Sequence, residues 1–141
     1  MENGRFSNFT IQEEETDLWI GINDMLKNEE IRNAAKGKVS DIRKQLKRYI
    51  KAYPEFLNSH DPLSLYDHEP PIIQEMKNAA IKANTGPMAA VAGSIAMSTL
   101  DHLDERFPLK EIVIENGGDI AVKINHPLII DPFAGENRYF G

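Results

Sequence analysis

The sequence contains no cysteine. Disulfides, thiolate metal centres and a cysteine nucleophile are therefore excluded, and a cytoplasmic protein is the expectation. Long apolar runs are missing as well: none reaches the roughly 18 residues of a membrane span. Met1-Glu2-Asn3-Gly4-Arg5 opens polar, with no signal-peptide core behind it. Positive charge is in deficit. Lys and Arg number 16 against 22 Asp and Glu, a net charge of −6, which argues against nucleic acid because phosphate binding needs a basic footprint. No GxSxG, P-loop or GxGxxG pattern occurs, and the histidines His60, His68, His102 and His126 show neither HxxxH nor HExxH spacing. Asp101-His102-Leu103-Asp104 carries metal-capable groups, but on a helix such a run reads as a solvated end. No metal site and no nucleophile is nominated.

What is present suits one domain. A chain of 141 residues, 41% hydrophobic and 27% charged, is a soluble globular composition. That length can bury roughly two thirds of the unfolded surface. There is no internal repeat and no low-complexity segment.

In chain order, Phe6, Phe9 and Ile11 precede the acidic run Glu13-Glu14-Glu15, and Leu18, Ile20 and Ile22 then alternate. Two strands forming a hairpin are expected, with the acids as edge-strand charge. Trp19 points away from the Leu18 face and reads as a packing residue under a helix rather than a binding platform. From Asn28 to about Tyr53, Ile31, Ala35, Val39, Ile42, Leu46, Tyr49 and Tyr53 recur at steps of three and four, which predicts one amphipathic helix. Lys36, Lys38, Arg43, Lys44, Lys47, Arg48 and Lys51 form its opposite, solvated face. Gly37 marks a close packing point. The prolines at 54, 62, 70 and 71 make an irregular connection, and Pro71 opens a helix to Ala83 that Asn84-Thr85-Gly86 breaks. A further helix runs from Pro87 to about Leu103. Lys110–Glu115 and Ile120–Ile124 are strands joined through Asn116-Gly117-Gly118-Asp119, a strong hairpin signal. Leu128–Ile130 is a last strand. The order ββαααβββ, with helices segregated from strand pairs, indicates α+β.

From Thr85 to Ala96 the chain carries no charged side chain and many small ones. A helix so apolar should be buried all round. Gly86 falls at its N-cap and offers no side chain to the free N–H groups of Met88 and Ala89, which could face an anion. Packing alone is the competing explanation. The Asn116-Gly117-Gly118-Asp119 turn is equally two-sided: glycines that merely permit a turn, or a backbone that lets a ligand approach.

Thr16-Asp17-Leu18-Trp19-Ile20, Ser64-Leu65, Pro70 through Met76, Gly86 through Ala96 and Glu115 through Ile120 together resemble the uncharacterised ApbE-like proteins of prokaryotes. These are relatives of the flavin transferases once called thiamine-biosynthesis lipoproteins. The resemblance covers nearly the whole chain and implies an ApbE-like α+β fold related to the tunnelling fold. It implies a site for FAD or FMN walled by Gly86, Met88, Ala89, Ala92 and Gly93 on the helix and by Asn116, Gly117, Gly118 and Asp119 on the turn. It also implies a longer chain, with a second half that supplies the metal ligands. Magnesium is then expected only if that half or a partner chain is present, flavin transfer is not expected from this chain alone, and the catalytic residues are unknown. The resemblance to a His-x-x-Asp-Pro element at His126 to Pro132 fails on spacing. A non-catalytic assembly module, pairing with a second copy or with a partner chain, is the alternative.

Overall fold

The computed structural model describes residues 6–23, 28–124 and 138–140, the last three and Asn28 as backbone only. Strands β1 (Ser7–Glu13) and β2 (Thr16–Ile22) form a hairpin, helices follow, and β3 (Ile112–Asn116), β4 (Asp119–Lys123) and β5 (Arg138–Phe140) complete one sheet in the order β1-β2-β3-β4-β5. The first four strands are antiparallel, while β5 runs parallel to β4. The fold is thus α+β, as the segregation of strand pairs and helices implies. The last strand lies at 138–140; the expected strand at 128–130 lies outside the described residues.

Register explains the core. Phe9, Ile20, Ile114 and Ala121 are cross-strand partners in one row, and all four are buried in the cluster shared with the helices. Because side chains alternate across a strand, one row along brings Ile11, Leu18, Asn116 and Asp119 to the same side. The far side carries a second cluster in which Phe6, Val113 and Ile120 pack with Trp19 and Val122. Trp19 is therefore not under a helix: it lies on the sheet face turned away from them. A Cβ on Gly21 would stand 2.6 Å from the Trp19 ring, so that glycine makes room for the indole.

Helix α1 (Asn28–Ala52) buries Ile31, Ala35, Val39, Ile42, Leu46 and Tyr49, and Tyr53 beyond its end is 41% exposed. Its basic face is not uniformly solvated. Arg43 reaches the β1–β2 turn, donating to Thr16 Oγ1, Glu14 and Glu15, the last at 2.7 Å, while Lys47 meets Glu14 at 2.6 Å. The acidic run is thereby tied to the helix. Gly37 is no packing point either, since a Cβ there would meet nothing within 4 Å.

The connection after Pro54 contains a one-turn helix, α2 (Glu55–Asn58), which buries Phe56. Helix α3 (Pro71–Ala83) starts at proline and ends at Asn84 in the left-handed region (φ 56°), with Thr85 N–H donating to the Ala80 carbonyl at 3.0 Å. Between them, buried Lys77 of α3 holds Glu69 at 2.7 Å, the Tyr49 hydroxyl at 2.9 Å and the Ser64 carbonyl at 2.8 Å. All three ammonium donors are used, so the ion pair fastens the connection to α1 and α3.

The apolar stretch is not one helix. Pro87–Ala90 form a 3₁₀ turn and α4 (Val91–Arg106) follows, ending at extended Phe107 before Pro108. Nor is the stretch buried all round: Ala89 is exposed and Val91, Ala92 and Gly93 are half-buried. Among the described residues no helix is long and apolar enough to cross a membrane.

Candidate functional site

The half-buried side of α4 opens onto a cleft of about 500 Å³. One wall comes from α3, where Glu75, Ala79 and Ala83 recur every four residues and so share a face. Thr85 closes one end. Ala89, Ala90, Gly93, Ser94 and Met97 make the opposite wall, and Asp119 enters from the β3–β4 turn. From Glu75 to Ala83 the α3 wall runs roughly 12 Å at the helical rise. Four of the wall residues, on α3 and the 3₁₀ turn, are alanine and one on α4 is glycine, so the helix surfaces stand apart and leave a slot. This is the shape of a small-molecule site: largely apolar, with a few converging polar groups.

Two hydrogen bonds fix its polar parts. Asn116 Nδ2 donates to the Ala92 carbonyl at 3.1 Å, which anchors the β3–β4 turn to the first turn of α4. Ser98 Oγ donates to Glu75 Oε2 at 2.8 Å. Burial pushes the Glu75 carboxyl above the ordinary glutamate value. The Ser98 hydrogen bond opposes that, Asp101 adds to it and Lys38 opposes it. Burial, with Glu105 and Asp104 nearby, likewise raises Asp101. Of the described residues that line the cleft, none is Lys, Arg or His.

The residues singled out from sequence fall into three places. Ala89, Gly93 and Asp119 line this cleft together. Met88, Ala92 and Asn116 line a second cavity of about 740 Å³ on the other side of the same segment, which Arg43, Leu46 and Ile95 also border. Gly117 and Gly118 are exposed at the turn between Asn116 and Asp119. Gly117 has φ +62°, the left-handed backbone that favours glycine, and a Cβ there would meet nothing within 4 Å. Gly86 borders neither space. A Cβ there would stand 1.8 Å from the Ser59 carbonyl oxygen, so this glycine permits a close backbone crossing. The helix start beside it is a single 3₁₀ turn whose Ala89 N–H donates to the Gly86 carbonyl at 3.2 Å. The N–H of Ala89 is thus occupied, and an anion over Met88 finds a poorer donor set than an α-helical start would offer.

Glu75 and Ser98 were missed by sequence reasoning. The signal was a lone acid in an every-four-residue series of alanines, Glu75-Ala79-Ala83. No group of three or more His, Cys, Asp or Glu among the described residues could hold a metal ion. Asp104 instead pairs with Lys123, and His126 lies outside the described residues.

Comparison with known proteins corrects the family. The chain is 48% identical over 90 residues to a UPF0280 protein of Methanosphaera stadtmanae, covering 64% of this chain and 36% of that protein. It is 36% identical over 114 residues to one of Methanococcus vannielii, covering 81% and 46%. A third, from Methanocaldococcus jannaschii, is 40% identical over 99 residues, covering 70% and 39%. The chain thus spans less than half the length of these relatives. They are archaeal proteins whose names carry no activity, and they replace the ApbE-like relatives of flavin transferases that the sequence blocks resemble. A family model described as "AbpE bacteria" matches residues 1–141, and it is to this family that the chain belongs.

Proposed function

We propose that the chain is a binding module for a flat heterocyclic ligand, a flavin (FAD or FMN) or another nucleotide, held between α3 and α4, and that it works in the cytoplasm. The α3–α4 cleft carries this reading: its small-residue walls accept a ring system edge-on, and Glu75, Thr85, Ser94 and Asp119 offer acceptors or hydroxyls to ring N–H or sugar hydroxyl groups. The ring and sugar fit this lining. Phosphates do not, because the described lining has acids and no cation, so they project from the mouth into solvent. Magnesium and any transfer chemistry would need ligands from outside the described residues.

The test is titration of the chain with riboflavin, FMN, FAD and ATP, followed by ligand fluorescence where available and by thermal shift. Saturable stabilisation by one of them is expected. Ala79→Leu, which fills the slot, should abolish it without lowering the melting temperature of the free chain. If none of the four stabilises the chain, the reading falls.

An assembly role is favoured by one observation: on the far sheet face Trp19, Val122 and Ile124 stay half-buried beside the buried Phe6, Val113 and Ile120. A second copy or a partner chain would cover what these three leave exposed. Mass in solution decides, and a monodisperse monomer at high concentration counts against self-association.

A further inference from the structure

Glu75 is the one carboxylate that α3 places on the cleft wall, and its environment is lopsided. Oε2 accepts from Ser98, while Oε1 has no hydrogen-bond partner among the described residues. The side chain is half-buried, and Oε1 stays reachable from the cleft, so a ligand donor can take the place of the water that meets it there. One helical turn along, Ala79 presents only a methyl group, which leaves space for a ring to lie beside the carboxylate. The fixed Ser98 hydrogen bond holds the carboxylate plane and limits its rotamers.

Resting on the binding reading above, we propose that Glu75 is the specificity-determining acceptor of the cleft, taking the N–H edge of a flat heterocycle (an imide N–H or an exocyclic amine). Ligands in which that edge is alkylated are rejected. A charge-assisted N–H···O⁻ bond is about twice as strong as a neutral one. A site built around such a bond discriminates sharply against an analogue that cannot make it.

The charged groups around Glu75 are Lys38 of α1 and Asp101 of α4, with Asp119 of the β3–β4 turn in the same cleft. Only the ionised carboxylate accepts in the required way, and burial holds its proton more tightly than usual. Ligand affinity therefore declines as the pH falls into the carboxylate range, and it does so sooner than an ordinary glutamate would dictate.

The experiment compares riboflavin with 3-methylriboflavin, which lacks the imide N–H, by fluorescence titration of the native chain. If ATP binds and riboflavin does not, adenosine and N6,N6-dimethyladenosine take their place. The methylated analogue is expected to bind about tenfold more weakly. Glu75→Met should bind the parent compound as weakly as the wild type binds the analogue and should lose the discrimination. Glu75→Gln, which keeps a neutral acceptor, should fall between. Equal binding of the pair by the wild type, or discrimination that survives Glu75→Met at an undiminished melting temperature, overturns the role of Glu75 and leaves the cleft as a binding site. Failure of riboflavin, FMN, FAD and ATP alike to bind the wild type overturns the cleft reading, and the role of Glu75 with it.

Discussion

Lys77 Nζ stands 2.7 Å from Glu69 Oε2, with side-chain exposures of only 1% and 3%. The Tyr66 ring lies 4.3 Å from the ammonium, near enough for a cation–π contact, and the Tyr66 N–H donates to the other Glu69 oxygen at 2.8 Å. One ion pair thus gathers α1, α3 and the chain that joins them. Removing one partner leaves the other charge buried and uncompensated. Lys77→Met is expected to cost about 3–5 kcal/mol, and pairing it with Glu69→Leu should recover most of that. Urea unfolding of the two variants checks both; a double variant no more stable than the single one would contradict the account.

The pH dependence of stability should carry two opposite contributions. Burial alone would raise Glu69, but hydrogen bonds from Lys77, Tyr49 and the Tyr66 N–H outweigh it and hold the carboxyl below the ordinary value. A carboxyl depressed on folding contributes stability above its unfolded pKa, and that contribution is lost as the pH falls through the folded pKa. Glu75, raised by burial, has the reverse sign: its ionised form is a cost at neutral pH, relieved on acidification. Glu69→Gln should therefore lower stability at neutral pH and flatten the acid decline. Glu75→Gln should raise neutral stability slightly and steepen the decline. Identical acid profiles for wild type and Glu69→Gln would refute the assignment.

Gly37→Ala should stabilise the chain by about 0.5–1 kcal/mol. The site is exposed within α1, the added methyl meets nothing, and glycine is a poor helix former. Thermal melting suffices to check the sign.

Gly86→Ala should destabilise by about 1–3 kcal/mol, because the methyl would drive the Ser59–His60 backbone away. The backbone at Gly86, with φ −74°, is itself open to any residue. The loss should therefore arise from crowding, and a shift of the 59–60 backbone should be visible in a structure of the variant.

Asn116→Ala removes the part-buried bond to the Ala92 carbonyl and should cost about 0.5–1.5 kcal/mol, the net worth of one such bond, because that carbonyl keeps its helical partner within α4. If the bond positions the turn, ligand affinity falls further than this variant's stability predicts for a merely loosened fold. Hydrogen exchange at Gly117 and Gly118 reports that loosening directly.

Much of this architecture could be read from periodicity. Steps of three and four in Ile31 to Tyr49 mark α1, and Pro71 and Asn84 bracket α3, because local stereochemistry decides those boundaries. The β3–β4 hairpin follows from two adjacent glycines for the same reason. The site was legible only in part. Ile112 and Ile114 already imply that Asn116 shares their face, yet whether that face meets α4 depends on long-range register. Glu75 was hidden because its role comes from the gap between two helices, which no single helix encodes. Gly37 and Gly86 show the limit from both sides: alike as letters, one stands in open space and the other beneath a crossing chain.

Placing the indole over Gly21 has a practical consequence for anyone measuring this protein. The chain has one tryptophan, and it looks out from the side of the sheet opposite the slot. Its ring touches none of the residues that line the slot, so a flavin bound there should dim its emission by energy transfer without shifting the wavelength. The wavelength should move when something covers the far sheet face, so a single sample can separate the two occupancies: ligand fluorescence reads the slot, and the position of the tryptophan emission reads the reverse side.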